Sequence, residues 1–129
     1  MFTFKYLNRD IVIELEKGLY SLGGMAAEGK SYLAFVLKKI SLTDNSILSL
    51  TYEDIKRFPR ACKEVIFNPE LRLIILDRFD LYHDFFYEED LVSISEYALI
   101  LYVCKSSKND LKKSLCCNIE MSKDKIEVY

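Results

Sequence analysis

Histidine occurs once in this chain of 129 residues, as His83, and no two cysteines stand in C-x-x-C spacing. A zinc site needs closely grouped sulfur and imidazole ligands, and a Ser-His-Asp or Cys-His arrangement needs a histidine beside its nucleophile. Neither is read here. The four cysteines, Cys62, Cys104, Cys116 and Cys117, include an adjacent pair that does not readily close on itself. They are expected to be reduced, core or half-buried residues of a cytosolic protein. Long apolar runs are missing too. The longest, Ala98 to Cys104, has the length of a buried strand rather than of a membrane span. Met1 to Tyr6 has no apolar stretch behind its charges, so no secretory signal is read. The expectation is a soluble, cytoplasmic chain with no membrane partner. No sign of charge dominates either: 18 basic residues face 20 acidic ones, a formal net charge of −2. That balance argues against a protein whose main task is coating nucleic acid.

Half of the residues are hydrophobic and 13% are aromatic, enough for a core in one domain spanning residues 1–129. Two alternating segments around Asn8-Arg9-Asp10 read as a hairpin, with Asp10 to Leu15 as the second arm. Leu19 to Leu22 reads as a short strand ending in Gly23-Gly24. Lys30 to Ile40 carries Leu33, Phe35, Val36, Leu37 and Ile40, with Lys38 and Lys39 free to face water, and this is read as helical spacing. Ser46 to Leu50, Leu71 to Leu76 and Ala98 to Cys104 read as further strands. Glu53 to Val65, interrupted or kinked at Pro59, and Glu88 to Glu96 read as helices. Leu115 to Met121 and Lys125 to Tyr129 read as a terminal hairpin. Strands alternating with helices predict an α/β fold. It is expected to be three-layered, with a largely parallel central sheet and a C-terminal β-hairpin.

Gly24-Met25-Ala26-Ala27-Glu28-Gly29-Lys30-Ser31 matches G-x-x-x-x-G-K-[ST], the Walker A pattern, without a gap. Glycines permit the tight loop, backbone N–H groups form an anion nest, and the following helix adds its positive N-terminal end. Lys30 is expected to reach the β- and γ-phosphates, and the Ser31 hydroxyl to ligate Mg2+. The nucleotide-contacting set runs on to Tyr32. The confirming context is a strand before the loop and a helix after it, and both are read. Glu28 brings a carboxylate into a loop meant for anions; it is read as facing solvent.

Holding phosphate is one task; hydrolysis also needs a metal and an activated water. Leu73-Ile74-Ile75-Leu76-Asp77 is an apolar strand ending in an acid, the form of a Walker B segment. In such sheets ligands sit beyond the carboxyl ends of the strands, which would bring Asp77 near a metal held by Ser31. Asp80 follows as a second acid, read as helping with metal or water or as capping a turn. Arg78 occupies the place where many hydrolysing P-loop enzymes carry a glutamate.

Taken together, these segments resemble the RecA-like group of P-loop NTPases, which includes RecA, the KaiC type and the replicative-helicase type. Gly18-Leu19-Tyr20-Ser21-Leu22-Gly23-Gly24 is similar to the strand and loop that lead into the motif in that group. The resemblance covers roughly Gly18 to Cys104 and implies an ATPase that takes ATP and Mg2+. It also implies a catalytic glutamate after the strand that follows the P-loop helix. Leu48-Ser49-Leu50-Thr51-Tyr52-Glu53-Asp54 stands there, making Glu53 the implied general base beside Lys30 and Asp77. The alternative for Glu53 and Asp54 is that they simply open a helix, where acids favour the macrodipole. Sites of this group often lie between subunits, which implies a homo-oligomer or a protein partner. The stretch between Glu53 and Asp77 is short for the group and no arginine finger stands out, as in a reduced, single-domain relative. A different class stays open: a non-hydrolysing nucleotide-binding regulator or assembly subunit acting through protein contacts. Lys105 to Lys113 is lysine-rich; it is read as solvated, with phosphate on a neighbour or a nucleic acid as the alternative. His83 is read as a loop residue. Phe79, Tyr82, Phe85, Phe86 and Tyr87 are read as core and helix-packing surface, with stacking on a base or contact with a partner as the alternative.

Overall fold

The computed structural model describes residues 1–23, 27–105 and 111–129; Gly24, Met25, Ala26 and residues 106–110 lie outside the description, as do the side chains of Ala27 and Glu28. Eight strands, β1 (Phe2–Tyr6), β2 (Arg9–Ile13), β3 (Gly18–Gly23), β4 (Ile47–Leu50), β5 (Leu73–Leu76), β6 (Leu99–Tyr102), β7 (Leu115–Met121) and β8 (Lys125–Val128), join in one sheet. Their order is β1-β2-β8-β7-β3-β6-β5-β4. Five of the seven strand pairings among the described residues are parallel; the hairpins β1–β2 and β7–β8 are antiparallel. The chain is therefore α/β with a mostly parallel sheet and a C-terminal hairpin.

The four-residue strands β5 and β6 are buried throughout, as befits strands covered on both faces. Alternation sorts their side chains. Leu73, Ile75, Leu99 and Leu101 meet Leu33, Val36 and Leu37 of helix α1 (Ala27–Ile40). Ile74, Leu76, Ile100 and Tyr102 meet Ile55 of α2 (Tyr52–Arg57), Cys62 of α3 (Pro59–Val65), and Leu91 and Ile94 of α4 (Glu88–Ile94). Helices thus cover both faces. Phe79, Tyr82 and Phe86 are buried in the second cluster, and Phe85 packs against it; Tyr87 departs from the expectation at 71% exposed. Cys62 and Cys117 are buried, Cys104 is half-buried and Cys116 is exposed.

The structure departs from the sequence reading at two helix boundaries, for local reasons, and in one long-range strand pairing. The expected helix from Glu53 to Val65 is two helices, broken at Phe58 (φ −134, ψ 60). Proline excludes the helical region for the residue before it, and Pro59, lacking an N–H, opens α3 instead of kinking a single helix. Helix α1 begins at Ala27, three residues before Lys30, so Gly29, Lys30 and Ser31 lie in its first turns. The two terminal hairpins, read as separate, are joined: β2 pairs in parallel with β8 from Asp10↔Lys125 to Ile13↔Val128.

Helix α2 opens on a reciprocal cap. The Asp54 N–H donates to the Thr51 hydroxyl at 3.3 Å, and the Thr51 N–H donates to the Asp54 carboxylate at 2.9 Å. Thr51→Ala removes that hydroxyl and is expected to lower stability by about 1 kcal/mol. A shifted urea midpoint at constant slope is the check; an unmoved midpoint would rule the cap out as a stabilising element.

Candidate phosphate-binding site

Parallel pairing brings the carboxyl ends of four strands to one edge. Ser21, Tyr102, Leu76 and Leu50 stand abreast on β3, β6, β5 and β4. The Gly24–Ser31 motif follows β3, Cys104 and Lys105 follow β6, Asp77 follows β5, and Thr51 and Glu53 follow β4. Strand spacing of about 4.8 Å sets β3 and β5 roughly 10 Å apart, with β6 between them. Within the motif, Gly29 is buried, Lys30 is half-buried and Ser31 is exposed. The expected contacts at Gly24, Met25 and Ala26 lie outside the described residues.

Lys30 and Ser31 line a cavity of about 260 Å³ together with Arg78, Val103, Cys104 and Lys105. This is below the roughly 300–1,000 Å³ of pockets that enclose a drug-sized ligand, and it suits a phosphate group better than a whole nucleotide. Three of the lining side chains are cationic and none of the described ones is acidic, so the cavity calls for an anion. A larger cleft of about 340 Å³ lies beside edge strand β4, among Lys38, Leu42, Leu48, Phe58 and Val65. It is mostly apolar and holds none of the motif residues.

Asp77 is anchored through its backbone. Its N–H donates to the Leu50 carbonyl at 2.9 Å, and its carbonyl accepts from the Tyr82 hydroxyl at 2.7 Å. The carboxylate is left differently: Oδ1 is buried with no hydrogen-bond partner among the described residues. Burial pushes its pKa above the ordinary 3.8, and the neighbouring Arg78 only partly offsets this. A buried oxygen without a donor is costly and is normally explained by a missing ligand or by function. Counting by two from Ile75, Asp77 falls on the face of the sheet that α1 covers. A divalent cation shared with phosphates requires only one or two protein ligands. Ser31 Oγ and Asp77 fit that role, and among the described residues no group of three His, Cys, Asp or Glu side chains offers a dedicated metal cage.

Next to Asp77, Arg78 adopts a left-handed backbone, φ 50 and ψ 46. For a non-glycine residue this costs about 1 kcal/mol, a strain often found at functional sites. Its Nε and Nη2 donate to Asp80 at 3.2 and 3.1 Å, and Asp80 also accepts the Lys105 N–H at 3.3 Å. The guanidinium holds the Asp80 carboxyl below its ordinary pKa. Asp80 thus ties the turn after β5 to the turn after β6.

Comparison with known proteins returned no matching family model, no matching curated protein and no matching solved structure.

The remaining sequence candidates are placed as follows. Glu53 is at the correct edge but points into the open, its side chain 69% exposed and 4.0 Å from Arg57. It does not appear in the described cavity lining. Its neighbour Asp54 is occupied by Lys38 and Thr51. Burial raises the Asp54 pKa, but those hydrogen bonds and the lysine charge outweigh it and hold the carboxyl below 3.8. Tyr32 faces the N-terminal hairpin, with the Arg9 guanidinium 5.1 Å from its ring. His83 is a loop residue, with Nδ1 3.2 Å from the Asp80 carbonyl and Nε2 3.1 Å from Asp84. Sequence position gives Arg78 no phosphate role and Lys105 only the alternative of phosphate on a neighbour or a nucleic acid. Each is a cation in the turn that follows an apolar strand, the edge where ligands of open α/β sheets bind, but nothing local shows that the two turns meet.

Proposed function

We propose that the chain binds Mg-ATP at the carboxyl edge of its sheet, as a reduced RecA-like P-loop NTPase. One observation carries the reading. Lys30 and Ser31, the two chemically committed positions of the motif, share one cationic cavity at the strand edge where Asp77 keeps a buried oxygen unpartnered. Lys30 would neutralise the phosphates, and α1 would direct its N-terminal end at them. Ser31 and Asp77 would hold magnesium, which when bound screens phosphate charge. The choice of adenine nucleotide comes from the resemblance.

A second reading, a non-hydrolysing nucleotide-binding regulator or assembly subunit, is favoured by one specific feature. Glu53 is paired with Arg57 in the open, and no carboxylate stands among the described cavity-lining residues to orient a water. Calorimetric titration with ATP, with and without magnesium, tests the binding that both readings share. Saturable, magnesium-strengthened binding is expected; its absence at millimolar ATP overturns both. Turnover by wild type and Glu53→Gln then separates them. The hydrolysis reading expects turnover that falls in the variant while ATP binding is kept. The regulator reading expects no turnover in either protein.

A further inference from the structure

The cavity has more positive charge than one lysine and a helix end provide, and the extra charge is specifically placed. In an extended strand Arg78 would face away from Asp77, toward the α2–α4 side of the sheet. Its left-handed backbone breaks that alternation, and its side chain lines the cavity with Lys30 and Ser31. Asp80 grips the guanidinium through Nε and Nη2, which fixes the plane of the group, while no described hydrogen bond uses Nη1. An arginine held on one edge presents the remaining donors as a rigid fork, the geometry that matches a phosphate. Lys105, from the end of β6, closes the same wall.

Resting on the nucleotide-binding reading above, we propose that Arg78 is the residue that distinguishes a nucleoside triphosphate from a diphosphate, by donating to the terminal phosphate. Lys30 is rooted in the first turns of α1, whereas Arg78 comes from the turn after β5, across the intervening strand β6. Phosphates cradled by the motif are served by the first; the phosphate extending toward Asp77 is served by the second. Loss of that phosphate leaves Arg78 on Asp80 without an anionic ligand, so the diphosphate loses a charge-assisted contact that the triphosphate makes.

The test is the ratio of ATP to ADP affinity, both with magnesium, in wild type and in Arg78→Gly. Glycine suits a φ of 50 without strain, so the variant retains the turn while losing the side chain. Wild type is expected to prefer ATP, and the preference should fall by about tenfold in Arg78→Gly while ADP affinity changes little. Arg78→Lys, which keeps the charge but not the fork, should recover part of the preference. An unchanged ratio in Arg78→Gly, or an equal loss for both nucleotides, overturns the assignment while leaving nucleotide binding intact. A wild type that binds neither nucleotide overturns the binding reading as well, which distinguishes the two failures.

Discussion

Lys30→Ala is expected to weaken Mg-ATP binding by roughly a hundredfold, about 3 kcal/mol, without loss of the fold. Lys30 lies in the first turns of α1, half-buried, and its side chain lines the cationic cavity. The apolar face of the helix is made by Leu33, Ala34, Val36 and Leu37, all at most 2% exposed, and none of these contacts involves the lysine. Alanine is also the best helix former, so α1 should not weaken. What is lost is a charge-assisted hydrogen bond to phosphate inside a partly enclosed site, worth more than the same contact in open water. Titration calorimetry gives the affinity, and a urea transition on the same samples shows that stability is retained. Equal affinity in the two proteins would remove Lys30 from the site and with it the reading of the motif.

Asp77→Asn should separate stability from binding. In the ligand-free protein the substitution replaces a buried carboxylate oxygen that has no described donor with a neutral amide. The free protein is expected to gain about 1 kcal/mol, because an unpaired buried charge is more costly than an unpaired neutral group. The magnesium-dependent part of ATP affinity should fall by about tenfold, since the amide offers a cation a weaker oxygen. The pH dependence carries a matching signature. The folded-state pKa of Asp77 is raised above 3.8, so the native state holds the extra proton in the window just above that value. Its contribution is present below 3.8 and is lost as pH rises through the folded pKa. Asp44, Asp54 and Asp80 have lowered values, so their contributions are lost on the acid side, as pH falls below 3.8. The wild-type minus Asp77→Asn difference in unfolding free energy, followed upward from pH 3.8, therefore reports Asp77. A variant less stable than wild type at neutral pH would show that the carboxylate is satisfied and the metal role misassigned.

The one-dimensional order of residues was enough for several features that depend on near neighbours. Apolar runs at Leu71–Leu76 and Ala98–Cys104 read as buried strands, and the strands formed within them are Leu73–Leu76 and Leu99–Tyr102, buried at every position as strands covered on both faces must be. The helical period after Lys30 marked α1, and Pro59 marked an interruption, since its missing N–H is a local property. The motif from Gly24 to Ser31 and the acid ending β5 are equally local, as spacing along the chain carries their chemistry.

Partnership across the sheet was not legible. Alternation assigns a side chain to a face, yet it does not say which strand lies beside which. The parallel pairing of β2 with β8, which joins the two ends of the chain in one sheet, rests on contacts more than a hundred residues apart. The cavity is of the same kind. Lys30, Arg78 and Lys105 come from three separate segments and meet only because β6 lies between β3 and β5. Arg78 required in addition a left-handed turn, a conformation that an arginine does not announce. Glu53 shows the converse: sequence position put it at the right edge, and tertiary geometry gave its side chain to Arg57 and solvent. Local spacing thus carries the phosphate-loop pattern and the acid after β5, on which the proposed function rests. The fold alone chose the cations that stand opposite, because their meeting is a consequence of strand order, and strand order is settled by the packing of the whole core.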